Sequence, residues 1–197
     1  MKKLIKVNQL TNNKYLNMFE LEYSIDGKPF KYFVASRRNL NTLSCKGENV
    51  VDAVRILPYF NLNGKMYVVL IKEFRYAIND YIYGVPAGLV DDGETLRQAA
   101  ARELKEEIGA DVVKLTEVFK PSYSSAGMTD ESIACFEAEV GNFKPQKLES
   151  TEDIKLKIVD FDTLQKMLDA EKFGLQSLLQ LKAFVYKKRL EKYEKTK

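Results

Sequence analysis

The 197-residue chain reads as an α+β protein, with strands before and after a central helix, two further helices near the C-terminus and an antiparallel β extension at the N-terminus. Three observations predict this. Residues 95–108 carry a full set of helix signals, residues 50–57 and 65–74 are apolar runs of strand length, and residues 15–35 flank Asp26-Gly27, a hairpin dipeptide. A 45% hydrophobic content is enough for a proper core, so the chain is one large domain or one domain with an appendage. We divide it into residues 1–45, the β extension, and residues 46–197, the main domain.

In the extension, residues 15–25 alternate in part between apolar and polar, and residues 30–35 return as a second strand. A two-stranded piece is not stable alone in water, so it packs on the rest of the chain or on a second subunit. Residues 50–57 and 65–74 follow as strands joined through 61–64, and the second is nearly continuous in apolar residues, as a buried strand should be. Beyond the central helix, residues 112–119 and 132–140 read as strands separated by a loop of small and turn-forming residues at 121–129. Residues 141–153, GNFKPQKLESTED, form a polar, flexible-looking connection to a strand at 154–159, and long loops near a site often carry function. Asp162 is expected to cap a short helix through Glu171 that Gly174 breaks. From Leu175 the positions Leu178, Leu179, Leu181, Phe184 and Val185 recur at helical spacing, which packs one side of a long terminal helix on the body.

The central helix carries the chemistry. Thr95 with Gln98 three residues on is a capping-box pattern, Ala99 to Ala101 favour helix, and Gly109 stands where a left-handed C-terminal cap is wanted. At about 100° per residue, Leu96, Ala100, Leu104 and Ile108 form an apolar stripe, with Glu103 and Glu107 at its edge and Glu106 close by. One reading makes these glutamates a solvated face, but that places acids opposite the stripe. The other has Glu103, Glu106 and Glu107 point together and hold hard divalent cations through oxygen, because three acids this close repel unless a cation neutralises them. The geometry favours the second.

Composition removes other chemistries. There is no histidine, which excludes an imidazole base, a Ser-His triad and His-ligated zinc. Cys45 and Cys135 are isolated, and no signal peptide or long apolar run accompanies them, so a reduced, cytoplasmic, soluble protein without a membrane partner is expected. From Lys182 onward seven basic residues meet two acidic ones, which leaves the preceding residues slightly acidic and does not indicate nucleic-acid binding.

The segment from Gly84 to Ala110, GVPAGLVDDGETLRQAAARELKEEIGA, resembles the box of the Nudix hydrolases. The match runs through Gly88, Glu94, Arg102-Glu103-Leu104, Glu106-Glu107 and Gly109, with Ala110 smaller than the usual bulky aliphatic. The resemblance implies the Nudix fold, a mixed sheet sandwiched between helices. It also implies a strand-loop-helix that binds Mg2+, with Mn2+ as the substitute, and hydrolyses a nucleoside diphosphate linked to another group. It carries the metal ligands over to Glu103, Glu106 and Glu107, with the Ala87 carbonyl adding an oxygen. Arg102 and Glu94 then take an ion-pair role that, with Gly88, shapes the box.

Other segments resemble the branch that acts on ADP-ribose and related nucleotide sugars. Lys72-Glu73-Phe74-Arg75 is similar to its "EQFR" segment, which makes Arg75 a candidate for a pyrophosphate oxygen; the alternative is an ion pair with Glu73 or Asp80. Pro86-Ala87-Gly88 matches its "PAG" entry to the box, although Gly84 stands where that branch commonly has glutamate. Ser125-Ala126-Gly127 takes the place of its "SPG" loop with Ala126 for the proline, and Gly127 is a candidate substrate contact. The branch exchanges a comparable N-terminal sheet across a homodimer, and Arg37 and Arg38 could meet a phosphate or form a solvated pair. It draws a water-orienting glutamate from the loop after the box, where Glu152 aligns best and Glu149 is the alternate; the competing reading is a plain loop acid. Glu107 joins the catalytic group as a metal ligand. The function implied is Mg2+-dependent hydrolysis of ADP-ribose to AMP and ribose 5-phosphate. The alternatives are another diphosphate, of GDP-mannose or dinucleotide type, and a non-catalytic nucleotide-sugar sensor, which would show erosion of the box glutamates.

Overall fold

Three strands, not two, open the chain in the computed structural model, which describes residues 1–47 and 50–194. β1 (Lys2–Gln9) pairs antiparallel with β2 (Asn17–Ile25), and β2 with β3 (Lys28–Ser36). β1 escapes the alternation rule because its register slips between Leu4 and Lys6, so a bulge breaks the period of two. The β2–β3 turn has Asp26 and Gly27 both at positive φ, the geometry of a two-residue hairpin loop.

The N-terminal unit comprises Met1–Ala53 together with Pro121–Ala134. Phe19, Leu21, Val34 and Leu43 form its buried centre, with Val7, Tyr23 and Tyr32 packed around them. The returning segment is tied in by the Ala35 amide, which donates to the Met128 carbonyl at 2.9 Å, and by the Tyr32 hydroxyl, which donates to the Gly127 carbonyl. Arg37 pairs with Glu131 at 3.2 Å. Arg38, expected at a phosphate or in solvent, is corrected by the structure: it is 6% exposed. Its guanidinium donates to both Asp52 carboxylate oxygens at 2.9 and 2.7 Å, to the Val50 carbonyl at 2.6 Å and to the Ser44 hydroxyl. Asp52 in turn accepts from the Ser132 amide at 2.7 Å, so Arg38 fastens the two pieces of this unit.

The second unit comprises Val54–Lys120 and Cys135–Lys197. β4 (Ala53–Leu62), β5 (Lys65–Arg75), β6 (Asp80–Gly84), β7 (Ala87–Leu89), β8 (Asp111–Tyr123), β9 (Ser132–Gly141) and β10 (Ile154–Asp160) form one mixed sheet. Its order is β10-β5-β4-β9-β8, with β6 beside β5 and β7 beside β4. β5 is central for a reason visible in its run of apolar residues: β10 covers one edge along most of its length, while β4 and then β6 share the other. Among the described residues three helices complete the unit: α1 (Leu96–Glu107), α2 (Phe161–Ala170) and α3 (Leu175–Glu194). The cap of α2 is Asp160, two residues before the expected Asp162; it accepts from the Thr163 amide at 2.8 Å. α2 and α3 close one core with the sheet, in which Leu57, Leu70, Val85, Leu164, Leu181 and Phe184 meet. Of the apolar stripe assigned to α3, Leu179 is 58% exposed and lies outside that core. No helix among the described residues is long and apolar enough to cross a membrane, and Lys195 and Lys197 of the basic tail lie outside the described residues.

Removing one partner of a buried ion pair leaves the other charge uncompensated. Arg38→Met should therefore destabilise the protein by about 3 kcal/mol, read as a lower urea midpoint; an unchanged midpoint would contradict the bracing role.

Candidate active site

β7 and α1 are joined by a turn that Arg102 holds shut. Its guanidinium donates to both Glu94 oxygens at 3.0 and 2.9 Å and to the Leu89 carbonyl at 2.8 Å, then reaches Glu103 at 2.6 Å and Glu106 at 3.2 Å. This concentration of anions, Glu94 foremost, pushes the Arg102 pKa far up, so it is a permanent cation. The helix begins where the capping box sets it: the Gln98 amide donates to the Thr95 hydroxyl at 3.3 Å, and the Thr95 amide to the Gln98 side chain at 2.9 Å.

That start aims two carboxylates inward. Glu103 is 7% and Glu107 4% exposed, while Glu106 stays at the rim. A solvated glutamate face is thereby excluded for Glu103 and Glu107. Glu103 lies so close against β7 that a Cβ on Gly88 would come within 1.8 Å of its carboxylate, which explains the glycine at the box entry. Glu107 keeps one oxygen, Oε2, without a hydrogen-bond partner. Burial pushes its pKa well above the usual glutamate range, and Glu103, Glu73 and Glu152 add to this, while the Ala87 amide works the other way. Burial also raises Glu103, against the lowering effect of Arg102, and raises Glu73, against that of Arg75.

Glu73 is the member of this group that the sequence reading passed over, treating it only as a partner for Arg75. It sits on β5 between Ile82 of β6 and Ile154 of β10, so the glutamate stands inside the sheet. A glutamate in a nearly continuous apolar run was the available signal. Arg75 pairs with Glu73 at 2.7 Å and is 50% exposed, whereas Asp80 pairs with Lys172 at 2.6 Å.

The connection at residues 141–153 is fastened rather than loose. The last carbonyls of a helix have no partner within it, and here the loop supplies them: Lys147 N–H to Glu106 and the Gln146 side chain to Glu107 at 2.6 Å, while Lys144 N–H donates to Gly109, just past the helix, at 2.8 Å. Gly109 is at φ +67°, and a Cβ there would meet the Lys144 carbonyl at 1.9 Å, so this residue is required twice over. The loop ends in a turn in which Glu152 N–H donates to Glu149 O at 3.1 Å and the Glu152 carboxylate accepts the Glu149 amide at 2.8 Å. Glu152 is half-buried with its charge felt by Glu73, Glu103 and Glu107; Glu149 is exposed.

Among the described residues, no three carboxylates converge tightly enough to enclose an ion as they stand. The donor set nonetheless suits a hard divalent cation: all oxygen, with Glu103 and Glu107 buried and repelling each other, and with one orphaned carboxylate oxygen on Glu107.

The NUDIX domain model matches residues 50–180, a span that holds the whole of this arrangement. The chain belongs to the NUDIX family. A putative nudix hydrolase 2 from Caenorhabditis elegans is 35% identical over 141 residues, 67% of this chain and 63% of that protein. An ADP-ribose pyrophosphatase from Bacillus subtilis is 33% identical over 93 residues, 47% of this chain and 50% of that one. A crystal structure of an ADP compounds hydrolase superposes with a TM-score of 0.74 at 17% identity, over 98% of this chain and 95% of the other, which shows the shared fold. This Nudix protein is a hydrolase with the α+β Nudix fold and an added N-terminal antiparallel sheet.

In the folded Nudix domain Glu107 retains its proton at pH values where an unfolded glutamate, with a pKa of about 4.3, has lost it. The folded state then binds more protons, so stability of the metal-free protein falls as pH rises above that value until Glu107 is ionised. Glu107→Gln should flatten this slope and raise Tm at neutral pH in EDTA; superimposable Tm-against-pH curves for the two proteins would refute the buried-carboxyl assignment.

Proposed function

We propose that this Nudix hydrolase cleaves the pyrophosphate bond of a nucleoside diphosphate sugar in a Mg2+-dependent reaction, ADP-ribose first, giving AMP and ribose 5-phosphate. The observation that carries the reading is the Glu107 carboxylate, buried beside Glu103 with an oxygen left over, inside a box whose helix end also anchors the connection that leads to Glu152. The similarity to the Bacillus subtilis ADP-ribose pyrophosphatase supports the substrate class.

Glu103, Glu106 and Glu107, with the Ala87 carbonyl, are the oxygen donors for Mg2+ or Mn2+, which when bound neutralises pyrophosphate oxygens and acidifies a bound water. Arg102 orients Glu103 and Glu106 from outside that donor set. Arg75 exchanges the Glu73 carboxylate for a pyrophosphate oxygen, which its planar fork fits. Glu152 takes the proton of the attacking water, because a carboxylate engaged with a cation is a poor base and Glu152 stands outside the box; Glu149 is the alternate. The two free cysteines suit a reducing, cytoplasmic setting.

Phosphate release coupled to a phosphatase, over a panel of ADP-sugars, GDP-mannose and dinucleotides with and without Mg2+, tests this. Gly84 and Ala126, where the ADP-ribose branch has other residues, are the reason for the breadth of the panel. Glu106→Gln and Glu107→Gln should each lower kcat by about two orders of magnitude or more, and Glu152→Gln should lower kcat with little change in KM. Near-normal kcat in both box variants at saturating Mg2+ would sink the ligand assignment.

We propose further that the chain is a homodimer through its N-terminal sheet. β3 is an edge strand of that sheet, covered at Ala35 by the returning segment, and it exposes Phe30 at 46% and Phe33 at 51%. Light scattering at micromolar concentration should give twice the mass of 22.6 kDa; a fully active monomer would contradict the dimer.

A further inference from the structure

The connection at residues 141–153 is held at both ends by side chains that no part of the proposed chemistry uses. On the hairpin formed by β5 and β6, the Tyr76 hydroxyl donates to the Thr151 carbonyl at 3.0 Å and the Tyr81 hydroxyl to the Asp153 carboxylate. Phe74 packs edge-on against both rings, at 5.2 and 5.3 Å between centroids. On the box helix, the Gln146 side-chain nitrogen donates to the Glu107 carbonyl at 2.6 Å and, at 3.4 Å, to the Ile154 carbonyl.

Gln146 is the side chain that spans the two halves of the site. Glu107 carries the most buried carboxylate of the box, and Ile154 opens β10 two residues after Glu152. A primary amide offers two hydrogens on one nitrogen, which is what bridging two carbonyls takes. Because the Glu152 carboxylate is bonded to the Glu149 amide of its own turn, the turn and the carboxylate move as one piece. A movement of this turn relative to α1 would therefore carry the whole carboxylate with it rather than free one rotamer.

We propose that Gln146 is a positioning residue that fixes the distance between the box helix and the Glu152 turn. The inference rests on Glu152 acting as the base. A misplacement of about 1 Å costs on the order of 100-fold in rate, so even partial loosening is measurable.

The test is a double-mutant cycle between Gln146→Leu, which keeps size and removes both donors, and Glu152→Gln. It uses the full chain and the best substrate of the panel, with Tm and amide hydrogen exchange measured alongside. Gln146→Leu should lower kcat about tenfold or more with KM within about twofold, and should speed exchange at the Lys147 and Glu149 amides. In the Glu152→Gln background the same substitution should cost less than about twofold. An equal loss in both backgrounds, or wild-type kcat despite faster exchange, overturns the positioning role. Wild-type turnover in Glu152→Gln overturns the base assignment and this inference with it. Should Gln146→Leu fail to fold, Tyr76→Phe, at an exposed ring, runs the same cycle with a several-fold effect expected, and equal losses in both backgrounds again overturn the role.

Discussion

Two carboxylates driven against a β-strand are the constraint around which the second unit is arranged. Glu103 and Glu107 face inward from α1 together with Ala99, Ala100 and Leu104. Burying an ionised carboxylate carries an effective penalty of several kcal/mol, and burying a leucine side chain such as Leu104 returns about 1.5–3 kcal/mol. Packing alone therefore does not settle the site. What makes it tenable is Arg102 on one side, a missing side chain at Gly88 on the other, and protonation of Glu107 until something neutralises its neighbours.

That arrangement propagates down the helix. If α1 continued past Glu107, its final carbonyls would move and the loop could not reach them. Gly109 ends it in a left-handed turn, and Lys144, Gln146 and Lys147 satisfy the carbonyls so exposed. The loop's polarity is thus a consequence of docking onto a helix end, and the same composition read as a sequence suggests flexibility. Both readings see the same residues; only the tertiary partner separates them.

This marks the boundary of what was legible. The capping box of α1, its glycine stop, the buried side of its glutamates and the identity of the box all follow from spacing within a single stretch, where local geometry and function coincide. Elements whose identity depends on distant partners were not readable in the same way. β1 hides behind a bulge, β6 and β7 are too short to show a period, and α2 takes Asp160 over Asp162 because the strand before it sets where the helix can start. Arg38 looks like one of two surface arginines until Asp52 and Ser132, far off in sequence, close around it. Glu73 and Gln146 matter through residues 79 and 39 positions away at Glu152 and Glu107, and no window along the chain contains those pairs.

On the proposed reading, a site whose base Glu152 is fastened still has to admit substrate, and Arg75 is the arginine at its exposed end. Glu152 uses one acceptor position on the Glu149 amide, and a carboxylate has about four, so it can take a proton without leaving its turn. Arg75 is half exposed at the end of β5, and its partner Glu73 is disfavoured as an anion by burial and by Glu152. Glu73 is largely buried while Arg75 is half exposed, so on the proposed reading the pair opens at its arginine end. On the proposed reading, substrate entry then requires one surface side chain to turn, while the backbone that sets the distance between box and base stays as folded.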